Sequence, residues 1–351
     1  MKKLLLSLLV MSALVLSIAP GVFATSVGSG LGVNIVTEDF EPIVWQCDHR
    51  VVYDDGTEPG RITENGQELC ERINNYAFEG EQIKWKVLVM DKNGIDKVAD
   101  VYATVDGYKE ANCDRLTWTP ERIPESCNAR ILEEELDDFD RETMAFYECT
   151  LTVETPESMY GQVEVTVEAE DLDGLTSQMV ELESWYLNPY IELDVDGELM
   201  FDEVRPGTSS YSDRVLVGNA ADDGSGVLLD MFISGTDFYD SSSSGAKCGD
   251  SNVLELENFR YYATNGPSST HSDGRSDAEG YVPIEYGIGF NDPNPFYNNN
   301  EIIQAKPLGP YYTANILAPG AEMSLVFRLD LPEPCNGDFD TGQIYFWGEA
   351  I

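Results

Sequence analysis

The residues with the most chemical potential are carboxylates set one residue apart at turns. Asp171-Leu172-Asp173-Gly174, Asp194-Val195-Asp196-Gly197 and Asp338-Phe339-Asp340-Thr341-Gly342 share this arrangement, and Asp222-Asp223-Gly224 sets its acids side by side. Alternate positions in a turn can converge their oxygens on one hard cation, and calcium favours a shell of such ligands. Calcium is therefore the one cofactor expected, with Asp171, Asp173, Asp194, Asp196, Asp338 and Asp340 as candidate ligands. No turn completes an EF-hand loop: counted from Asn336, the sixth position holds Thr341 and the twelfth holds Trp347. The competing reading is that these are only acidic hairpin turns, where Asp and Gly serve the backbone.

Groups for catalysis are sparse. The two histidines, His49 and His271, lie far apart, and no His-Glu-x-x-His, Gly-x-Ser-x-Gly or Gly-rich phosphate loop occurs. His49 stands near Cys47, but zinc would need further soft ligands at regular spacing. With 64 acids, chance carboxylate pairs are certain, so pairs suited to glycoside hydrolysis say little. No enzyme is expected.

Seven cysteines fit an exported chain in which disulfides persist. Cys248 and Cys335 are alone in the C-terminal half and are expected to pair, which stabilises by roughly 4–5 kcal/mol in the chain-entropy model. Cys113 and Cys127 bracket a proline-bearing loop and are expected to pair locally, for about 3 kcal/mol. Cys47 would then take Cys70 or Cys149, leaving one odd thiol.

The segments that must position these residues begin with an export signal. Lys2 and Lys3 precede the apolar run Leu4 to Leu16, and Val22-Phe23-Ala24 offers small residues for cleavage, so a mature chain is expected to start near Thr25. No later stretch approaches membrane-spanning length. The formal net charge of −43 repels phosphate backbones and anionic headgroups, which argues against nucleic-acid binding and peripheral membrane attachment. Solubility, calcium binding and a salty habitat are three explanations of that charge.

Beyond the Gly-rich residues 25–32 the periodicity is that of strands. Glu81 to Met90 and Val98 to Val105 flank Asp91-Lys92-Asn93-Gly94 and predict a hairpin. In Gln162 to Glu170, Val163, Val165, Val167 and Ala169 alternate with acids and Thr166, which predicts one buried face and one wet face. Arg130 to Met144 breaks the rhythm: Leu132, Leu136, Phe139 and Thr143 predict a short amphipathic helix. The pattern restarts near Asn188-Pro189, giving a signal at 1–24 and domains at 25–189 and 190–351. The second domain carries short strands, long Ser/Gly/Asp loops and aromatic pairs such as Tyr261-Tyr262 and Tyr311-Tyr312. Rings on loops can stack on sugars, so a glycan is the alternative ligand.

Two resemblances sharpen this. Trp85 to Ile95, Val101 to Val105 and Tyr160 to Gly174 are similar to immunoglobulin-like modules of prokaryotic surface proteins, over roughly residues 76–187. The strand before Pro206-Gly207, Val215 to Asn219, Leu228 to Ser234 and Pro319-Gly320 with its strand resemble camelysin/TasA-type jelly-roll fibre subunits, over most of 190–351. That resemblance implies polymerisation by donation of an N-terminal strand, with Val33 to Val36 as the donor. The expectation is an all-β chain of two sandwiches, immunoglobulin-like then jelly-roll-like, with one short helix. It would be a secreted structural protein of a prokaryotic cell surface whose partners are itself or other surface proteins, with an adhesin or carbohydrate-binding protein as the alternative.

Overall fold

The alternation in Gln162–Glu170 builds the strand that anchors the first half of the molecule. The computed structural model describes residues 22–26, 32–53, 74–124, 127, 138–179, 183–201, 204–242, 245–249, 251–287, 300–308 and 311–351. The fold is all-β. Among the described residues the helical elements are three-residue 3-10 turns at Ile95–Lys97, Leu256–Asn258 and Thr270–Ser272.

Two strands, β1 (Val22–Ser26) and β2 (Gly32–Ile35), form a small antiparallel pair. A continuous path of strands then folds over on itself. It comprises β3 (Ile43–Tyr53), β4 (Tyr76–Ala77), β5 (Gln82–Met90), β6 (Val98–Val105), β7 (Tyr108–Arg115), β8 (Met144–Thr152), β9 (Gly161–Asp171), β10 (Thr176–Gln178) and β11 (Glu183–Leu187). The order is β3-β5-β8-β7-β6-β9-β11-β4, with β10 beside β9. The corner is β7: its first half pairs β6, and Cys113 to Arg115 pair β8. One sheet thereby supplies both layers of a sandwich.

The expected hairpin between β5 and β6 does not form. β5 pairs β3 and β8, whereas β6 pairs β7 and β9 in the opposite layer. The Asp91–Gly94 turn and the 3-10 turn after it are long enough to cross between layers, and Ile95, 3% exposed, plugs the end of the core as they do. The tight hairpin is instead β6–β7, closed by Asp106-Gly107 with φ of 49° and 80°, where the left-handed pair matches strand twist.

Between the layers Trp85 and Trp185 meet edge to face at 6.0 Å. The buried Glu183 carboxylate accepts both indole N–H groups at 3.3 Å and the Gln46 side-chain amide. Three donors satisfy the oxygens of this acid in an apolar core.

The outer face of the β3-β5-β8 layer is also covered. Trp45, Leu88, Met144 and Phe146 pack under Ile123 and Cys127, with Phe139 stacked on Phe146 at 5.4 Å. Only the C-terminal part of the helix expected at 130–144 can be compared, and it is not helical. Residues 138–144 run as a bridge, a turn and the start of β8, while 130–137 lie outside the described residues.

The second half holds β12 (Leu193–Asp196), β13 (Ser209–Asn219) and β14 (Leu229–Gly235), then a series of further strands, many of them two residues long. One sheet runs β12, β13, Glu322–Asp330, Phe259–Asn265 and Ser268–Ser269. The other sets β14 between Ile316–Leu317 and Ile344–Ala350. Val215, Val217, Leu229, Met231, Tyr261 and Phe327 fill the space between them. Tyr76 of the first half lies in this second core, and its hydroxyl donates to the Ile351 carbonyl at 2.5 Å. Asn188, near the expected boundary, is itself buried and donates to the Glu154 and Met159 carbonyls.

Three disulfides close the fold: Cys47–Cys127, Cys113–Cys149 and Cys248–Cys335. The expected local Cys113–Cys127 bond is not made. The β5-β8 sheet separates the two: Cys113 and Cys149 sit at the inner core, Cys47 and Cys127 under the outer cover. Cys149, one of the two candidates for the odd thiol, is paired; Cys70, the other, lies outside the described residues.

Candidate functional site

The second sandwich is open along one side. Among the described residues β12 ends one sheet and Ile344–Ala350 ends the other, and between these two edges runs a cleft of about 480 Å³. Leu193 and Val195 face it from β12, Leu199 from the segment after it, Phe327 from the floor, and Phe238 and Phe346 from the far wall. Val195 is 45% exposed. Unpaired edge groups beside exposed apolar side chains form a template for another strand.

At the other end of the chain, β2 has β1 as its partner, with Val22 opposite Ile35, Phe23 opposite Asn34 and Ser26 opposite Gly32. Ile35 and the following Val36 are largely exposed. Cleavage after Ala24 would remove two of those three register pairs.

The candidate calcium ligands occupy three separate places. Asp171 and Asp173 lie in the turn after β9. Asp171, 5% exposed, spends Oδ1 on the N–H groups of Asp173 and Leu175. Asp194 and Asp196 are exposed on the edge strand β12. The loop carrying Asp338 and Asp340 is clipped to residues 240–242: Asp340 accepts the Ser241 N–H and hydroxyl, which hold its carboxyl below the usual range, and Asp240 accepts the Asp338 N–H. Among the described residues no three acid, cysteine or histidine side chains converge on one point.

The aromatic residues scatter in the same way. Tyr261 and Tyr311 are buried, Tyr211 and Tyr262 each pack near Tyr281 under Arg328, and Tyr286 is exposed alone.

Periodicity does not reveal one buried acid set. Asp230 is 1% exposed on β14 and accepts a hydrogen bond from Asn315 at 2.7 Å. Glu349 is its register partner, and Glu301 is bridged to Phe232, whose side lies on the same face of the strand. Burial first, and the Asp230 charge second, push the Glu301 carboxyl up from 4.5 to about 7, against the lowering pull of Gln304 and Arg275. The folded state therefore keeps a proton that the unfolded chain releases, and stability falls as pH rises through that window. The expected loss is at most about 3 kcal/mol. Glu301→Gln should flatten the dependence and be the more stable form at about pH 8. Denaturant melts of both chains across the window check this.

No family model matches the chain. An uncharacterized protein of Methanocaldococcus jannaschii is 23% identical over 379 residues, covering 99% of this chain and 97% of its own. The C-terminal domain of the Streptococcus pyogenes antigen I/II-family protein AspA overlaps 90% of this chain and 97% of its own, at 7% identity and a TM-score of 0.28. The C-terminal domain of the Streptococcus agalactiae antigen I/II polypeptide BspA overlaps 88% and 97%, at 8% identity and a TM-score of 0.28. At such TM-scores neither likeness carries an argument about this chain. Among the described residues no helix is long and apolar enough to cross a membrane.

Proposed function

We propose that this chain is an exported, non-enzymatic structural subunit of a prokaryotic cell surface, with domains at 25–189 and 190–351. Copies join when residues around Val33–Val36 of one enter the cleft between β12 and Ile344–Ala350 of the next. The open cleft carries this reading: an apolar interior flanked by two strand edges that are unpaired among the described residues is an incomplete sandwich. Export supplies the timing, because cleavage after Ala24 frees β2 from β1. Three disulfides suit the oxidising space outside the cell.

Because each copy carries a large negative charge, assembly should strengthen with salt. The test is light scattering coupled to gel filtration on the chain from residue 25, with electron microscopy of the same peak. Polymers that vanish on deletion of 25–37 support the proposal. A monomer at every protein and salt concentration overturns it and leaves the adhesin, to be sought on a glycan panel.

A further inference from the structure

Two turns of one sequence form lie side by side at an end of the first sandwich. Asp91-Lys92-Asn93-Gly94 follows β5, and Asp171-Leu172-Asp173-Gly174 begins at the last residue of β9. In each, aspartate Oδ1 accepts the backbone N–H two residues on, at 2.7 Å from Asn93 and 2.9 Å from Asp173. In each, the glycine N–H closes onto the aspartate carbonyl, at 3.0 Å and 3.2 Å. The 3-10 turn Ile95–Lys97 links them: Lys97 N–H donates to the Gly94 carbonyl, and the Lys97 carbonyl accepts the Leu172 N–H, both at 2.8 Å.

The second carboxylate oxygens set this place apart from an ordinary turn. Asp91 is 0% exposed, and its Oδ2 has no hydrogen-bond partner among the described residues. Lys97 Nζ, 3.6 Å from Asp173 Oδ2, is the cation in contact, and both side chains are 49% exposed. Three carboxylates against one ammonium leave a net charge that one divalent cation balances.

We propose that Asp91, Asp171 and Asp173 hold a calcium ion, with Asp91 Oδ2 as the ligand buried in advance. Since the three do not yet converge, binding draws the half-exposed Asp173 inward from Lys97. Backbone carbonyls and water complete the shell. Oxygen-only donors on two turns suit calcium, which tolerates irregular geometry, over magnesium and over softer metals. The ion would tie the end of one layer to the end of the other. It would also stiffen the lead-in from β2, since Asn93 accepts the Phe40 N–H at 2.6 Å and donates to the Glu38 carbonyl at 2.9 Å.

The test is thermal unfolding of the chain from residue 25 in calcium, in magnesium and in sodium of matched ionic strength. Calcium roughly a hundredfold above its dissociation constant should raise Tm by about 5–10 °C. Asp91→Asn should abolish that rise while melting higher than the parent without calcium, because the buried like-charge repulsion is gone. Asp171→Asn should also abolish it, and Asp223→Asn, an exposed acid in the other half, should keep it. No calcium-specific rise in the parent, or an undiminished rise in both Asp91→Asn and Asp171→Asn, overturns the site.

Discussion

Replacing Cys113 and Cys149 together with alanine is expected to remove about 4 kcal/mol of stability, the chain-entropy value for a loop of this length. The two half-cystines are 36 residues apart and directly opposite in the β7–β8 register. They sit at the one place where β7 leaves one layer for the other, so the bond fixes the corner of the sandwich. Without it, β7 keeps only the Cys113–Arg115 pairs to β8, and its other half is free to peel away with β6. Urea unfolding followed by the fluorescence of Trp85 and Trp185, buried in the same core, reads the loss directly. Reductant should shift the parent at least as far and leave the variant's remaining transition to report Cys47–Cys127 and Cys248–Cys335. A midpoint change equivalent to less than about 1 kcal/mol would mean that the corner is held by packing alone.

Where single faces are buried, the sequence was readable. Val163, Val165 and Val167 alternate with Glu164, Thr166 and Glu168, and they lie in the inner core. What failed was pairing across distance. Asn93-Gly94 looked like the tip of a hairpin, and local turn chemistry cannot say that buried Ile95 commits the chain to the other layer. Asp106-Gly107, a two-residue Asp-Gly connection directly after the apolar run that ends at Val105, is the stronger hairpin signal. Cysteine spacing favoured Cys113 with Cys127, because a short loop closes easily. The face on which each cysteine sits overrules that, and face follows from register, which no local window contains. Asp91 shares the Asp-x-x-Gly form of Asp171, and that kinship with a candidate ligand is legible in the sequence. Its unpartnered oxygen is not, since that depends on what packs over it. The cleft is equally hidden: Leu193 and Phe346 are separated by most of the second half, and only the sheet order shows that each stands on the last described strand of its sheet.

If those edges await a strand, donor and acceptor can be broken separately and then made to complement one another. A chain lacking residues 25–37 keeps its cleft and loses its arm. A Val195→Glu chain keeps its arm but presents a carboxylate to the apolar groove from an edge strand, the device by which natural sheets refuse partners. Desolvating that charge by about 3 kcal/mol should weaken docking roughly a hundredfold. Because Val195 is 45% exposed in the free chain, the substitution leaves the monomer's own core untouched, and matching circular dichroism and Tm would verify it. Each variant alone should therefore run as a monomer at salt concentrations where the parent polymerises. Mixed in equal amounts they should form a two-chain complex and stop, since the Val195→Glu arm fills the truncated chain's cleft and the truncated chain has no arm to pass on. Dimers in the mixture and nowhere else are difficult to obtain from nonspecific association, which does not distinguish donor from acceptor. Polymers from either variant alone, or two folded variants that ignore each other when mixed, would assign the cleft to some other ligand.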